Sequence, residues 1–412
     1  MAETNATTSC IFAVNLSFTK IGVGIIARHK TQAGIQMSKI KIEVIDNNAD
    51  FDALEPAWRA LEAQSLTHSI FRIWDWQRSW WQHYGYLGEL RVLLAWDNDN
   101  LVGILPLYIQ RQGLKRILRN IGTGGDTSPD YLDPLLAPHR SDDIAEALAG
   151  FAISGVSGWN LLNVSDISLG STFARMLEQN CRAHCVLLET GEPMYITHGQ
   201  LPSSWEGYLA QLSQNRRSIL RRTRRRIDAM PEAVIEAVQR GPELDAILDR
   251  LAILHIRRWQ GRAAHFAFSS PRYIAFHRDI IRRFSAEDRL RFHVLRIGGE
   301  IAGVYYGYRY RNRSYAFQSG FEPSLASLSP GVALIAHAIE HAIQEGCSDF
   351  DMLRGDYDHK KRWFSAYRTT VTTQACRRGM LAAGIWLRRL FCLTVAQDVC
   401  LNLADLLGLG IV

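Results

Sequence analysis

The sequence predicts a mixed α/β fold in two successive units, each a mixed sheet with flanking helices. Three observations carry that expectation. Short stretches of period-two alternation, beginning with Lys39 to Ile45, read as strands. Two pairs of such stretches are joined by turn formers. Leu90 to Trp96 meets Leu101 to Gln110 across Asp97-Asn98-Asp99-Asn100, and Arg291 to Ile297 meets Glu300 to Tyr310 across Gly298-Gly299. Between them, apolar residues recur at three- and four-residue spacing, the pattern of amphipathic helices. The 412 residues, 47% hydrophobic and 21% charged, are ordinary globular material. At roughly 150 residues per domain, the length allows two or three units.

The first unit spans 38–195. After the opening strand, Asp50 to Gln64 has helical spacing, and Asp75 to Tyr84 follows as an aromatic helix. Its Trp76, Trp80, Trp81 and Tyr84, with Phe71 and Trp74 before it, could stack a sugar, but at this spacing core packing is the better reading. A hairpin, a glycine-rich loop at Gly122 to Asp126, and alternating helices and strands near 142–154, 159–164, 171–182 and 184–189 complete the unit. The glycine-rich loop lacks the Lys-Ser/Thr of a phosphate-binding P-loop.

The second unit spans 196–378. It opens with one long helix from Ser204 to about Met230, then a strand at 233–239 and a helix at 243–260. Three antiparallel strands follow (291–297, 300–310 and 313–321), then a helix from Pro330 to Gln344. A strand at 349–353, a short helix at 359–364 and a strand at 369–376 end it. Residues 379–412 read as an amphipathic helical tail. Regular patterning starts only after Met37, so residues 1–37 are expected to be a disordered leader or a misassigned start.

No apolar run reaches the ~18 residues of a membrane span. The seven cysteines show no zinc spacing, and a cytoplasmic location with reduced thiols is expected. The formal charge is +6, and the seven arginines within 216–226 exceed that whole excess. One local segment therefore attracts anions, unlike the broadly basic surface of a nucleic-acid-coating protein, and no DNA partner is expected. Like charges four residues apart repel, so this run is costly unless it meets an anion. Arg217, Arg221 and Arg224 are the candidate substrate-binding residues there.

Ser329-Pro330-Gly331 marks a helix start. Ser329 is suited to cap it, Pro330 to its first turn, and Gly331 to close approach by a ligand. Free N–H groups at such a start hold phosphate. Downstream, Asp351, Arg354, Asp356, His359 and Lys360 cluster at a strand end. Acyl transfer needs a proton acceptor and donors for the oxyanion. Asp356 or His359 could take the proton, while Arg354 and Lys360 bind anionic groups. His337-Ala338-Ile339-Glu340-His341 spells H-x-x-E-H. Its histidines lie opposite the apolar stripe of their helix, so a solvated polar face is expected rather than zinc, and no metal is assigned.

The order of three antiparallel strands, helix, strand, helix and strand, with Leu328-Ser-Pro-Gly-Val-Ala333 at the first helix start, resembles the GNAT acetyltransferase fold. In that fold a Gln/Arg-x-x-Gly-x-Gly/Ala loop cradles the pyrophosphate of coenzyme A. Gly331 and Ala333 fit the loop; Leu328 stands where Gln or Arg is usual. Phe317-Gln318-Ser319-Gly320-Phe321, Ser329-Pro330-Gly331 and Phe350-Asp351-Met352-Leu353-Arg354-Gly355-Asp356 with Lys360 and Arg362 resemble the CelD/BcsL group of GNAT-type proteins. These are associated with cellulose and other exopolysaccharide biosynthesis and share a tandem-GNAT architecture with FemAB aminoacyl transferases. Asp130-Tyr131-Leu132-Asp133 resembles the group's first half. Tyr357 and His359 depart from its pattern, which usually has Glu and Tyr at those places.

The resemblance implies an acyl-CoA donor held by Gln318, Ser329, Gly331, Val332 and Ala333, with Asp351 on the substrate side. It implies a small-molecule or glycan acceptor, and an association with polysaccharide-synthesis machinery. A FemAB-like enzyme would instead take aminoacyl-tRNA, and the missing residue at Leu328 leaves a silent scaffold as a third reading.

Overall fold

The computed structural model describes residues 39–67, 69–127, 129–259, 267–355 and 357–379. The expected leader, the C-terminal tail and Asp356 lie outside them. In the first unit the elements are β1 (Lys41–Ile45), α1 (Asn48–Ala53), α2 (Glu55–Gln64), α3 (Trp74–Tyr84), β2 (Gly88–Asp97), β3 (Asn100–Gln112), β4 (Lys115–Asn120), β5 (Leu135–Leu136), α4 (Ser141–Ser154), β6 (Leu161–Ser168), α5 (Thr172–His184) and β7 (Cys185–Thr190). Next come β8 (Met194–Gln200), α6 (Trp205–Gln211) and α7 (Gln214–Asp228). The remaining elements are β9 (Ala233–Val238), α8 (Leu244–Trp259), α9 (Pro271–Ala286), β10 (Leu290–Ile297), β11 (Glu300–Tyr310), β12 (Arg313–Phe321), α10 (Pro330–Gln344), β13 (Asp349–Arg354), α11 (Asp358–Lys361) and β14 (Ala366–Arg377).

Among the described residues all strands join one mixed sheet of fourteen, in the order β1-β2-β3-β4-β6-β14-β8-β13-β12-β11-β10-β9, with β5 on β3 and β7 on β14. A single pattern recurs: a strand, helices, three antiparallel strands, a helix, and a strand parallel to the third. In the first round β4 runs parallel to β6, and in the second β12 runs parallel to β13. The C-terminal strand β14 lies between β6 and β8 and pairs with β7 as well, so the ladder continues across position 195.

The expected helix from 204 to 230 is two helices. Leu212 is extended, and the Ser213 hydroxyl accepts the N–H of Arg216, ending α6 and capping α7. A serine that caps competes with helix continuation. Strands β4 and β8 and helix α9 have no counterpart among the elements expected from the sequence.

Two apolar clusters fill the molecule. The larger takes α1 to α5, α8 and α9 against the sheet; the smaller lies under α6, α7 and α10. Phe71, Trp74, Trp76, Trp80 and Tyr84 are almost wholly buried. Trp76 packs edge-on against Phe276 of α9 with ring centres 5.2 Å apart. The aromatic helix is thus core, and its work is to join α3 to α9. Among the described residues no helix is long and apolar enough to cross a membrane.

Candidate active site

The parallel strands β12 and β13 pair over only three residues each, Arg313–Tyr315 with Asp349–Asp351. Beyond that they leave each other, and two irregularities lie at the parting. The β11–β12 register shifts between Tyr306 and Gly307, leaving Phe317 out of the ladder. The β13–β8 register shifts between Asp351 and Arg354. Strands that part expose edge N–H and C=O groups, and a bulge redirects one more. Helix α10 begins beyond the end of β12, after a 3-10 turn at Pro323–Leu328.

At the end of β13 the backbone is strained. Leu353 has φ +56°, and Tyr131 and Asp166 from the first unit have φ +56° and +59°. Non-glycine residues seldom occupy this region, and such conformations persist only where neighbours fix them. The neighbours are explicit here. Asp351 accepts the Leu353 N–H at 2.9 Å, and the Tyr131 hydroxyl donates to the other oxygen of Asp351 at 2.6 Å. Asp130 accepts both the backbone N–H of Arg354 at 2.8 Å and its guanidinium Nε at 3.0 Å. Arg354 also pairs with Asp166. The Lys360 ammonium donates to the carbonyls of Leu353, at 3.0 Å, and Arg354.

Burial raises the Asp130 carboxyl to about 6 against the pull of Arg354, and it raises Asp166 too. Burial lowers the Lys360 ammonium to about 8. A neighbouring set completes the lattice. Asp349 accepts from Arg313 at 2.6 Å, Arg368 at 2.8 Å and His198 at 3.0 Å; Arg368 also reaches Asp351 at 2.9 Å. Burial pushes Asp349 upward, but the His198 hydrogen bond and the two guanidiniums outweigh it, and its pKa is lowered.

Of the residues singled out by sequence, Asp351, Arg354 and Lys360 therefore meet, joined by Asp130, Tyr131 and Asp166 from the other unit. In the sequence, only the resemblance carried by Asp130-Tyr131-Leu132-Asp133 marks Asp130 and Tyr131. His359 is exposed and stacks on Tyr357, ring centres 5.5 Å apart and nearly parallel.

At the donor loop, Gly331 and Val332 lie at the first turn of α10, as the sequence suggested. The role of Ser329 differs. It sits in the left-handed region, φ +57°, and its side chain makes no capping bond; its carbonyl instead accepts the N–H groups of Val332 at 3.0 Å and Ala333 at 3.3 Å. Gln318 is half-buried on β12 opposite Tyr306, directly after the bulge.

The arginines divide. Arg217 turns inward and donates to the carbonyls of Leu209, Ala210 and Leu212, the last at 2.8 Å, so it closes the end of α6 rather than facing a ligand. Arg221 and Arg224 line a cavity of about 350 Å³ together with Val332 and Ala333, which brings the arginine helix to the first turns of α10. Arg224 pairs with Glu340 at 3.2 Å, and Arg226 reaches the Ser327 carbonyl at 3.2 Å.

His337 and His341 are not a solvated face. Both are half-buried and meet His293 of β10: His337 Nδ1 lies 2.8 Å from His293 Nδ1, and the His341 ring centre is 5.3 Å from that of His293. Burial lowers His337 to about 4 and pushes His293 well below the ordinary imidazole value, so these two rings are neutral near pH 7.

Residues 214–361 match a family model described as an acetyltransferase (GNAT) domain. No curated protein matches the chain. Among solved structures, FemX is similar at 10% identity with a TM-score of 0.54, over 77% of this chain and 95% of that one. A conserved protein of unknown function from Bacteroides thetaiotaomicron is similar at 12% identity with a TM-score of 0.52, over 82% of this chain and 100% of that one. These likenesses concern the fold. The fold is GNAT-like, and the matched stretch runs from the start of α7 to the end of α11.

Proposed function

We propose that this protein is an acyltransferase that moves an acyl group from acyl-coenzyme A to an amine or hydroxyl, with the donor in the wedge between β12 and β13. The observation that carries this is the parting of those strands after three paired residues, with a strained, charged turn at one lip and a helix start at the other. The pantetheine arm of coenzyme A carries amides that can pair with exposed strand edges, as an added strand would. Its phosphates would meet the α10 start at Gly331 and the cations of α7. The acceptor would attack the thioester carbonyl, lose its proton to a base, and release the thiolate, which takes up a proton. Asp356 follows directly on Arg354-Gly355 in the sequence and is the proposed base; Arg354 and Lys360 supply positive charge at the end of β13.

The sequence resemblance to CelD/BcsL-type proteins supports a glycan acceptor in exopolysaccharide synthesis. The exposed arginines of α7 support the second reading, an aminoacyl-tRNA donor. Thiol release from acetyl-CoA, followed with a thiol reagent over a panel of amino sugars and polyols, tests the first. Release stimulated by one acceptor supports it. No release with any acceptor, alongside transfer from charged tRNA, would replace it with the second.

A further inference from the structure

Four cavities of the described residues can be compared by the charges on their walls. Three are balanced. The cavity at Arg313 and Arg368 also has Asp133 and Asp142; that at Arg221 and Arg224 has Asp228 and Glu340; that at Arg278 and Arg282 has Asp245 and Asp279. The fourth, about 760 Å³, lies between the start of α7 and the segment joining α11 to β14. Arg216, Lys361 and Arg362 line it, and none of its lining residues is Asp or Glu. His198, also on its wall, faces Asp349.

The wall is otherwise suited to an anion. Ser213 and Asn215 bring the first turn of the fifteen-residue helix α7 to it, where the helix dipole is positive. Tyr208, Trp363 and Phe364 give it an aromatic floor, with the Arg216 guanidinium 5.9 Å from the centre of the Trp363 ring. Burial and the nearby charge of Arg362 both lower the pKa of Arg216. Arg216 is half-buried while Lys361 and Arg362 are exposed, so an anion held among them would be reached from solvent and would gain charge-assisted hydrogen bonds.

We propose that the cavity bounded by Arg216, Lys361, Arg362 and the start of α7 is a phosphate-binding site, distinct from the Gly331 loop. The inference deepens the acyl-CoA reading. Helix α7 reaches from this cavity to the turn before α10, where Arg226 touches Ser327, so one helix joins the cavity to the donor loop. The phosphate is either the 3′-phosphate of coenzyme A or the diphosphate of a nucleotide-activated acceptor.

The test is calorimetric titration of the wild type and of Arg216→Gln/Arg362→Gln with coenzyme A, 3′-dephospho-coenzyme A, uridine diphosphate glucose and bulk tRNA. Thermal melting checks that the double variant is folded; should it unfold, Lys361→Gln replaces it. The proposal expects at least a ~10-fold loss for one phosphate ligand, equal to about 1.4 kcal/mol. A loss for coenzyme A with no change for its dephospho form assigns the 3′-phosphate. A loss for uridine diphosphate glucose alone assigns the acceptor. If the wild type ignores coenzyme A but binds uridine diphosphate glucose through Arg216 and Arg362, the donor reading fails and the cavity stands. A folded variant that binds every small phosphate ligand as the wild type does overturns the proposal, including when it has lost only tRNA.

Discussion

Asp130 of the first unit holds Arg354 of the second by two bonds at once, taking its backbone N–H at 2.8 Å and its guanidinium at 3.0 Å. One carboxylate thereby fixes the path of the chain and the direction of the charge just after the strained Leu353. Asp130, Tyr131 and Asp166 are in this sense a wall around the charged turn that ends β13.

That pair gives the site an acid limb. Asp130 sits at about 6 because it is buried, so it is ionised near neutral pH and takes a proton as the pH falls through about 6. Turnover should then fall about 10-fold per pH unit below that value, as the carboxylate that orients Arg354 is lost. Stability should move the other way for this group. A folded pKa above the unfolded one means its contribution is full below the ordinary value of 3.8 and is lost as pH rises through about 6. Asp130→Asn keeps the shape without the titration. Its pH–rate profile should lack the acid limb, from a lower plateau; an unchanged limb would assign it to another group.

Lys360 gives a matching test at the alkaline end. Burial lowers its pKa to about 8 from an ordinary 10.5, so in between the unfolded chain holds the proton and the folded one does not. Stability conferred by Lys360 therefore increases as pH rises through that window. Urea unfolding of wild type and Lys360→Met near pH 7 and near pH 10 should show the wild type gaining relative to the variant. A constant difference would mean that Lys360 has the same affinity for its proton in both states.

Arg217 should behave as a structural residue. It donates to three part-exposed carbonyls at the end of α6, so Arg217→Gln should cost about 1 kcal/mol in unfolding free energy through the lost hydrogen bonds. Arg221→Gln, on the cavity beside α10, should cost less than about 0.5 kcal/mol. Denaturant titration of the two variants separates these outcomes. Equal stabilities would return Arg217 to the ligand-facing set.

The contrast between those two arginines shows how far the sequence could be read. Composition marked the run as an anion site, yet which arginine turns inward depends on the break at Leu212-Ser213, and a charge count cannot see it. The segment β12, α10 and β13 was legible because alternation, Ser-Pro-Gly and helical spacing follow one another locally. Helix α9 carried a signal that was passed over: Ser270 caps Tyr273, Pro271 opens the helix, and Tyr273, Phe276, His277, Ile280 and Phe284 keep helical spacing. Strand β8 is short and pairs with β13 and β14, roughly 150 residues or more away, so its seven residues hold little local evidence. The partnership of Asp130 with Arg354 spans 224 residues. It exists only because β14 inserts between β6 and β8, a connection that no periodicity encodes.

If acyl-coenzyme A binds in the wedge with its phosphates at the start of α10, Gly331 is the position that decides it. A Cβ there would meet only Phe321, at an ordinary 3.4 Å, so Gly331→Glu should fold while placing a carboxylate where phosphate is proposed. Calorimetric titration with acetyl-CoA should show saturable binding to the wild type, at least ~10-fold weaker in the variant at matched thermal stability. Equal affinity in wild type and folded variant, or no binding to either, would rule out a donor phosphate site at the start of α10.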